Sequence, residues 1–258
     1  MAISLRVGQA YRDAGAQAVL RRPAGSGVAV DCDRCGIRPR SICANAVGNE
    51  WDAFVALARP RSYAARSPLF MEGDPADTVF NVTAGVVRMF RLSRGGQYQI
   101  VGFALAGDVI GSTEGANHTF SADAAGRVSV CSFSARSFWA FVDRHPSLLR
   151  GLYLAAVRRI DLAHDQMAMM GAESARQKLA QFLLALERRS RPLSRAGMVV
   201  PLPMTRRDIG NYLDLSLWTV SRLLNRFARQ GLIEIAPRGV RILRPAALDA
   251  IVNEIASP

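Results

Sequence analysis

The sequence predicts an α+β chain in three folded parts. These are a double-stranded antiparallel β-roll of jelly-roll type, a long helix with a dimer seam, and a C-terminal winged helix-turn-helix. Three observations carry this reading. Residues 63–133 fall into short apolar or alternating stretches separated by glycine-containing turns. Residues 146–170 switch to a helical period with apolar positions three and four apart. Residues 199–245 hold two short helical patterns followed by strand, turn and strand. The 258 residues are 50% hydrophobic, which is material enough for two cores.

In chain order, residues 1–31 are rich in Ala, Gly and Arg and read as weakly structured. Three of the four cysteines follow: Cys32, Cys35 and Cys43; the fourth is Cys131. Strands are expected at Pro68–Phe70, Thr78–Val82, Val86–Leu92, Gln99–Leu105 and Arg127–Phe133, with turns at Glu72–Pro75, Ser93–Gly96 and Ala106–Asp108. Pro146 suits the first turn of a helix. Leu149, Tyr153, Ala156, Ile160, Ala163, Met167 and Met170 then form an uncharged heptad seam, which favours a contact between two copies of this helix. A second amphipathic helix spans 174–190, and Arg188–Gly197 reads as a loop. The expected divisions are 1–50, a cysteine-bearing segment; 51–145, the roll; 146–170, the dimerisation helix; and 171–258, the winged helix-turn-helix.

The helix-turn-helix reading rests on several residues that agree. Gly210 is a small residue mid-way along the first helix, where its partner approaches. Ile209, Leu213, Leu215, Val220 and Leu223 supply apolar contacts. Asp214 tolerates a positive φ in the turn, and Ser216 caps the second helix. Such a second helix enters the major groove of double-stranded DNA with its N-terminal residues toward the bases. Trp218, Ser221 and Arg222 share one face by spacing, and Arg222 has the fork geometry for guanine. Thr205, Thr219, Asn225, Arg226 and Arg229 are candidates for phosphate. Residues 231–243 read as the wing.

Charge agrees with an anionic partner. The chain carries 33 basic and 21 acidic residues, net +12. Residues 171–258 hold 14 basic against 7 acidic, and residues 51–170 hold 12 against 10, so the excess concentrates at the C-terminal third. Enzyme chemistry finds no support. The three histidines, His118, His145 and His164, form no triad or metal pattern, and no phosphate-binding glycine loop is present. No catalytic residue is assigned. No apolar run reaches the length of a membrane helix, and the N-terminus lacks a secretory pattern, so the expected compartment is the cytoplasm.

Four cysteines in a cytosolic chain suit a metal centre better than disulfides. Spacing does not separate an iron–sulfur centre from zinc. Arg34, Arg38 and Arg40 are expected to favour the thiolate form. An electron carrier would account for the cysteines but not for the wing and the recognition helix.

Taken together, the chain resembles the Crp/Fnr family of bacterial transcription regulators over roughly residues 50–245. The likeness is carried by Glu72–Pro75 and Gly102–Asp108 in the roll, the seam helix, and Met204–Leu213 with its partner helix. The cysteines place it nearest the Fnr/FixK-like branch. The resemblance implies a cupin-like roll, a homodimer, promoter DNA and RNA polymerase as partners, with Ser93–Gln97 and the nearby roll surface toward the polymerase. It also implies a [4Fe–4S] cluster on Cys32, Cys35, Cys43 and Cys131 that responds to oxygen or nitric oxide. The alternative keeps the regulator and replaces the cluster with zinc or thiol-redox chemistry. Gly111–Phe120 lacks the arginine by which the cyclic-nucleotide branch holds phosphate, so no cyclic nucleotide is expected. Two departures stand out. Trp218 occupies the place of the Glu that Fnr-like helices use on cytosine, so the TTGAT half-site is expected to change there. Ala163 stands where some oxygen-responsive members carry Asp, so the dimer is expected to persist after cluster loss.

Overall fold

The computed structural model describes residues 32, 35–92, 98–111, 115–171, 174–190 and 199–254. The expectations for residues 1–31, Arg34, Ser93–Gln97 and most of the loop before Gly197 lie outside these residues.

Two short 3-10 turns, Arg38–Arg40 and Ile42–Asn45, lead into α1 (Asn49–Leu57). The roll then uses β1 (Arg59–Tyr63), β2 (Pro68–Phe70), β3 (Thr78–Ala84), β4 (Val86–Leu92), β5 (Tyr98–Leu105), β6 (Val109–Ile110), β7 (Ser121–Ala124) and β8 (Val128–Ser134). They form two antiparallel four-stranded sheets, ordered β1-β8-β3-β6 and β2-β7-β4-β5. Phe70, Phe80, Val82, Val87, Met89 and Val130 fill the space between the sheets.

Alternation along β3 and β8 gives the first sheet a second buried face. Val79 pairs with Phe133 and Asn81 with Cys131, and these residues point away from the roll interior. The face is covered by Ile42, Ala46 and Phe54, by Phe138 and Val142 of α2 (Ala135–Val142), and by Leu148. Three strands of the roll were not expected from sequence. β1 reads Arg-Pro-Arg-Ser-Tyr, an exposed edge strand without an apolar rhythm, where Pro60 is tolerated because edges have spare pairing. β6 has two residues, and β7 reads Ser-Ala-Asp-Ala with all four buried, so neither alternates. Helices α1 and α2 were also missed.

α3 spans Pro146–Gly171 and α4 spans Ala175–Ser190. The chain divides into two compact units, Met1–Val157 and Arg158–Pro258, within α3. In the second unit follow β9 (Val200–Pro201), α5 (Arg206–Leu213), α6 (Leu217–Arg229), β10 (Ile233–Ala236), β11 (Gly239–Ile242) and α7 (Pro245–Val252). The expected two-stranded wing is a three-stranded sheet, β10-β11-β9, because Val200 pairs with Val240. No helix among the described residues is long and apolar enough to cross a membrane.

Candidate nucleic-acid interface and cysteine site

Local hydrogen bonds place α5 and α6. Thr205 caps α5: its hydroxyl accepts from Asp208 N–H at 3.1 Å, and Asp208 Oδ2 accepts from Thr205 N–H at 2.8 Å. Asp208 Oδ2 also lies 2.8 Å from the Thr205 hydroxyl. The hydroxyl proposed for phosphate is therefore engaged in the helix start. Asp214 takes φ 54° and ψ 51°, the left-handed conformation its side chain was expected to tolerate. Leu215 N–H returns to Gly210 C=O at 2.8 Å, and a Cβ at Gly210 would stand 2.5 Å from Leu215 C=O. Glycine at 210 is thus what lets the turn close. Ser216 caps α6 by accepting from Thr219 N–H at 3.0 Å.

α6 divides cleanly by face. Val220, Leu224 and Phe227 are buried with Ile209 and Leu213. The sequence reading chose Leu223 as an inward contact, but it is only half-buried and Leu224 takes the core position. The other face exposes Trp218, Arg222, Asn225, Arg226 and Arg229, with Ser221 and Thr219 half-buried. Trp218 is 75% exposed, an unusual state for so large an apolar ring. No acidic residue lies on α6 to offset its three arginines. Thr219, Arg222, Asn225, Arg226 and Arg229 line a groove of ≈ 720 Å³ that also touches Ala175. A concave cationic surface carrying hydroxyls and an amide is chemically suited to a phosphate backbone.

The second constellation lies in the first unit. Cys131 sits on β8, 6% exposed. Cys43 lies in the 3-10 turn capped by Ser41, whose hydroxyl accepts from Cys43 N–H at 3.2 Å. Cys35 N–H reaches Cys32 C=O at 3.4 Å. Burial pushes the Cys131 thiol up to about 12, and the proximity of Cys43, Cys32 and Cys35 adds to the rise. Cys131 is thus within electrostatic reach of each of the other three cysteines, although it is 88 residues beyond Cys43 in the chain. Burial likewise raises the Cys43 thiol; the Ser41 hydrogen bond and Arg38 offset it only in part. At Cys43, Arg38 acts in the expected direction, toward the thiolate, but does not set the balance. Burial outweighs Arg38 there, and its guanidinium stacks 3.6 Å from the Trp51 ring centre. Among the described residues, no three His, Cys, Asp or Glu side chains converge into a metal-holding group.

The seam residues occupy one helix. Leu149, Tyr153, Ile160, Met167 and Met170 are between 46% and 68% exposed, and Ala156 and Ala163 are exposed with them.

Comparison with known proteins agrees in both units. Residues 177–251 match the Crp-like helix-turn-helix domain family, and residues 60–145 match the cyclic nucleotide-binding domain family. The nitrogen fixation regulation protein FixK of Bradyrhizobium diazoefficiens is 39% identical over 220 residues, covering 85% of this chain and 93% of FixK. This chain belongs to the Crp/Fnr family. The transcriptional activatory protein AadR of Rhodopseudomonas palustris is 38% identical, covering 84% of this chain and 91% of AadR. The solved structure of FixK2 from Bradyrhizobium japonicum superposes with a TM-score of 0.69 at 33% identity, covering 77% of this chain and 99% of that one.

Crp/Fnr proteins are transcription regulators that bind promoter DNA and act as dimers; they are not enzymes. In this Crp/Fnr chain, α6 and the wing lie within the Crp-like helix-turn-helix domain. Sequence reasoning missed Asn81, Asn45 and Gly151 around the cysteines. Asn81 is a polar residue between the apolar Phe80 and Val82 in the buried middle of β3, which was a usable signal. The contact of Asn45 with Gly151 joins residues more than 100 positions apart and left none.

Proposed function

We propose that this Crp/Fnr regulator is an oxygen- or redox-responsive switch, with Cys32, Cys35, Cys43 and Cys131 holding a [4Fe–4S] cluster that controls dimeric promoter binding at low oxygen. The observation that carries the reading is the nearness of Cys131 to Cys43, Cys32 and Cys35, thiols drawn from two distant places in the chain. Their donor chemistry fits an iron–sulfur centre. When bound, the group supplies sensitivity to oxygen or nitric oxide.

The chain's own residues supply the coupling. Leu148, at the start of α3, is buried in the same cluster as Cys131, Phe133 and Ile42. Ser147 donates to Glu50 Oε2 at 3.1 Å, and Asn45 lies against Gly151. A shift of the cysteine segment is thereby felt by the helix whose exposed row forms the dimer seam. Two recognition helices in a dimer meet half-sites about one DNA turn apart, roughly 34 Å. DNA and the occupied cysteine site must then favour the same conformation, and each strengthens the other. Trp218, Ser221 and Arg222 read bases; Thr219, Asn225, Arg226 and Arg229 hold phosphates, and Thr205 keeps α5 in place beside them. RNA polymerase completes the partner set, and the site of action is the cytoplasm, where the promoters are.

No cyclic nucleotide is expected, although the roll matches the cyclic nucleotide-binding domain family. The buried arginine of the roll, Arg88, is neutralised by Asp123, with Nε to Oδ1 at 2.7 Å. An anionic ligand would have to compete with that carboxylate.

The test is purification without oxygen, an absorption spectrum before and after air, and analysis of iron, sulfide and zinc. A broad visible band that bleaches in air supports the cluster. A colourless protein that contains zinc, or no metal, and still binds DNA keeps the regulator and moves the site to zinc or thiol-redox chemistry.

A further inference from the structure

Asn81 is 1% exposed on β3, on the sheet face it shares with Val79, Cys131 and Phe133. Its place in the β3–β8 register is directly opposite Cys131. Its side-chain amide donates to Cys43 Sγ, with Nδ2 at 3.6 Å from the sulfur. Its Oδ1 is buried and has no hydrogen-bond partner. An unpartnered buried carbonyl forgoes the hydrogen bond it makes with water in the unfolded chain, which is a net cost to folding. Stability alone would favour a leucine of similar size among these apolar neighbours. The amide's hydrogen bond is with a sulfur, and Asn81 stands beside both parts of the cysteine set: Cys43 by that bond and Cys131 by strand register.

We propose that Asn81 is a positioning residue for the metal group held by the four cysteines. Its amide N–H donates to the Cys43 sulfur and secures that sulfur as a ligand. A donor to a thiolate delocalises the sulfur's negative charge and holds the side chain in one rotamer, so the ligand is less easily lost. The inference rests on the reading that the thiols hold metal, but not on which metal. It assigns a role to a strand residue outside the cysteine motif.

The experiment uses the full chain, purified without oxygen, as wild type, Asn81→Leu and Asn81→Asp. Release of protein-bound iron or zinc to an excess of a colour-forming chelator is followed anaerobically. Thermal unfolding of the metal-free protein is measured alongside. Leucine keeps the volume and removes both the donor and the orphaned carbonyl. Aspartate keeps the shape and removes the donor. The expected result is metal release faster by roughly 10-fold in both variants. The metal-free Asn81→Leu protein should melt no lower than wild type. A structural role predicts the opposite pairing, with release and melting changing together. Metal release at the wild-type rate in either folded variant overturns the proposal and leaves the metal site intact. A wild-type protein that carries no metal overturns the metal reading and this proposal together.

Discussion

Asn45 leaves no room for a side chain at Gly151: a Cβ there would stand 2.2 Å from Asn45 Nδ2 and 2.6 Å from its Cγ. The turn that carries Cys43 therefore rests directly on the backbone of α3. Asn45 Nδ2 also donates to Ile42 C=O at 3.3 Å, which fixes the amide over the helix. Gly151→Ala should displace this side chain and break that bond. Alanine improves helix propensity by about 1 kcal/mol, so melting should change little. What should change is the ratio of DNA affinities without oxygen and after air, which should fall toward one. An unchanged ratio would remove this contact from the coupling route.

Arg222 and Trp218 should divide the work of base reading. Arg222→Ala should cost roughly 1–3 kcal/mol on the preferred site and relax preference at a guanine. Trp218→Glu should move the preference at its own base pair toward cytosine, whose N4 a carboxylate can accept. Binding to a panel of operators with single base changes measures both. A preference profile unaltered by Trp218→Glu would show that the exposed indole does not face the bases.

Arg226 and Arg229 are exposed on the groove, and on the proposed phosphate role their loss should be felt equally on every sequence. Each replacement by alanine should lower affinity without altering preference. It should also reduce the slope of log affinity against log salt by about 0.9. Titration at four or more salt concentrations is the measurement. An unchanged slope would exclude a phosphate contact for that arginine.

The exposed row on α3 should be the dimer contact. Ile160 lies mid-way along it, 54% exposed. Ile160→Glu puts two carboxylates near the two-fold axis, and sedimentation should show monomer where the wild type is dimer. A dimer that survives this change would place the contact elsewhere.

His118 links acidity to stability of the roll. It is buried and stacks on Phe70 with ring centres 3.8 Å apart. Burial lowers its pKa, and Asp74 and Asp77 offset this only in part. The unfolded chain, with an ordinary histidine pKa of about 6.5, takes up a proton that the folded state resists. The stability contribution is therefore full above that pH and is lost as pH falls toward the lowered value. Melting at pH 7.5 and 5.5 should differ more for wild type than for His118→Phe. Equal differences would show that His118 does not carry the effect.

Short-range chemistry made much of this protein legible. The capping of α5 and α6, the left-handed Asp214, the glycine at 210 and the exposed arginines all follow from neighbouring residues or from helical spacing. Strands β3, β4 and β5 announced themselves by apolar rhythm, whereas β1, β6 and β7 are polar, too short or wholly buried and carry no period. Leu224 replaced Leu223 in the core because a helix pattern cannot distinguish adjacent leucines until a partner surface is present.

The kind of protein was legible in the chain alone: a cationic second helix with a wing, an uncharged helical row, and four cysteines in a family whose motifs span both units. Tertiary structure alone decided how the cysteines meet their surroundings. Pairing of β3 with β8 put Asn81 opposite Cys131, and the fold laid Cys43 over both. The same packing raised the Cys43 and Cys131 thiols by desolvation, which at Cys43 outweighs the nearby Arg38. Solvent exclusion and contacts between distant residues arise only when separate chain segments are brought together. No local pattern encodes them.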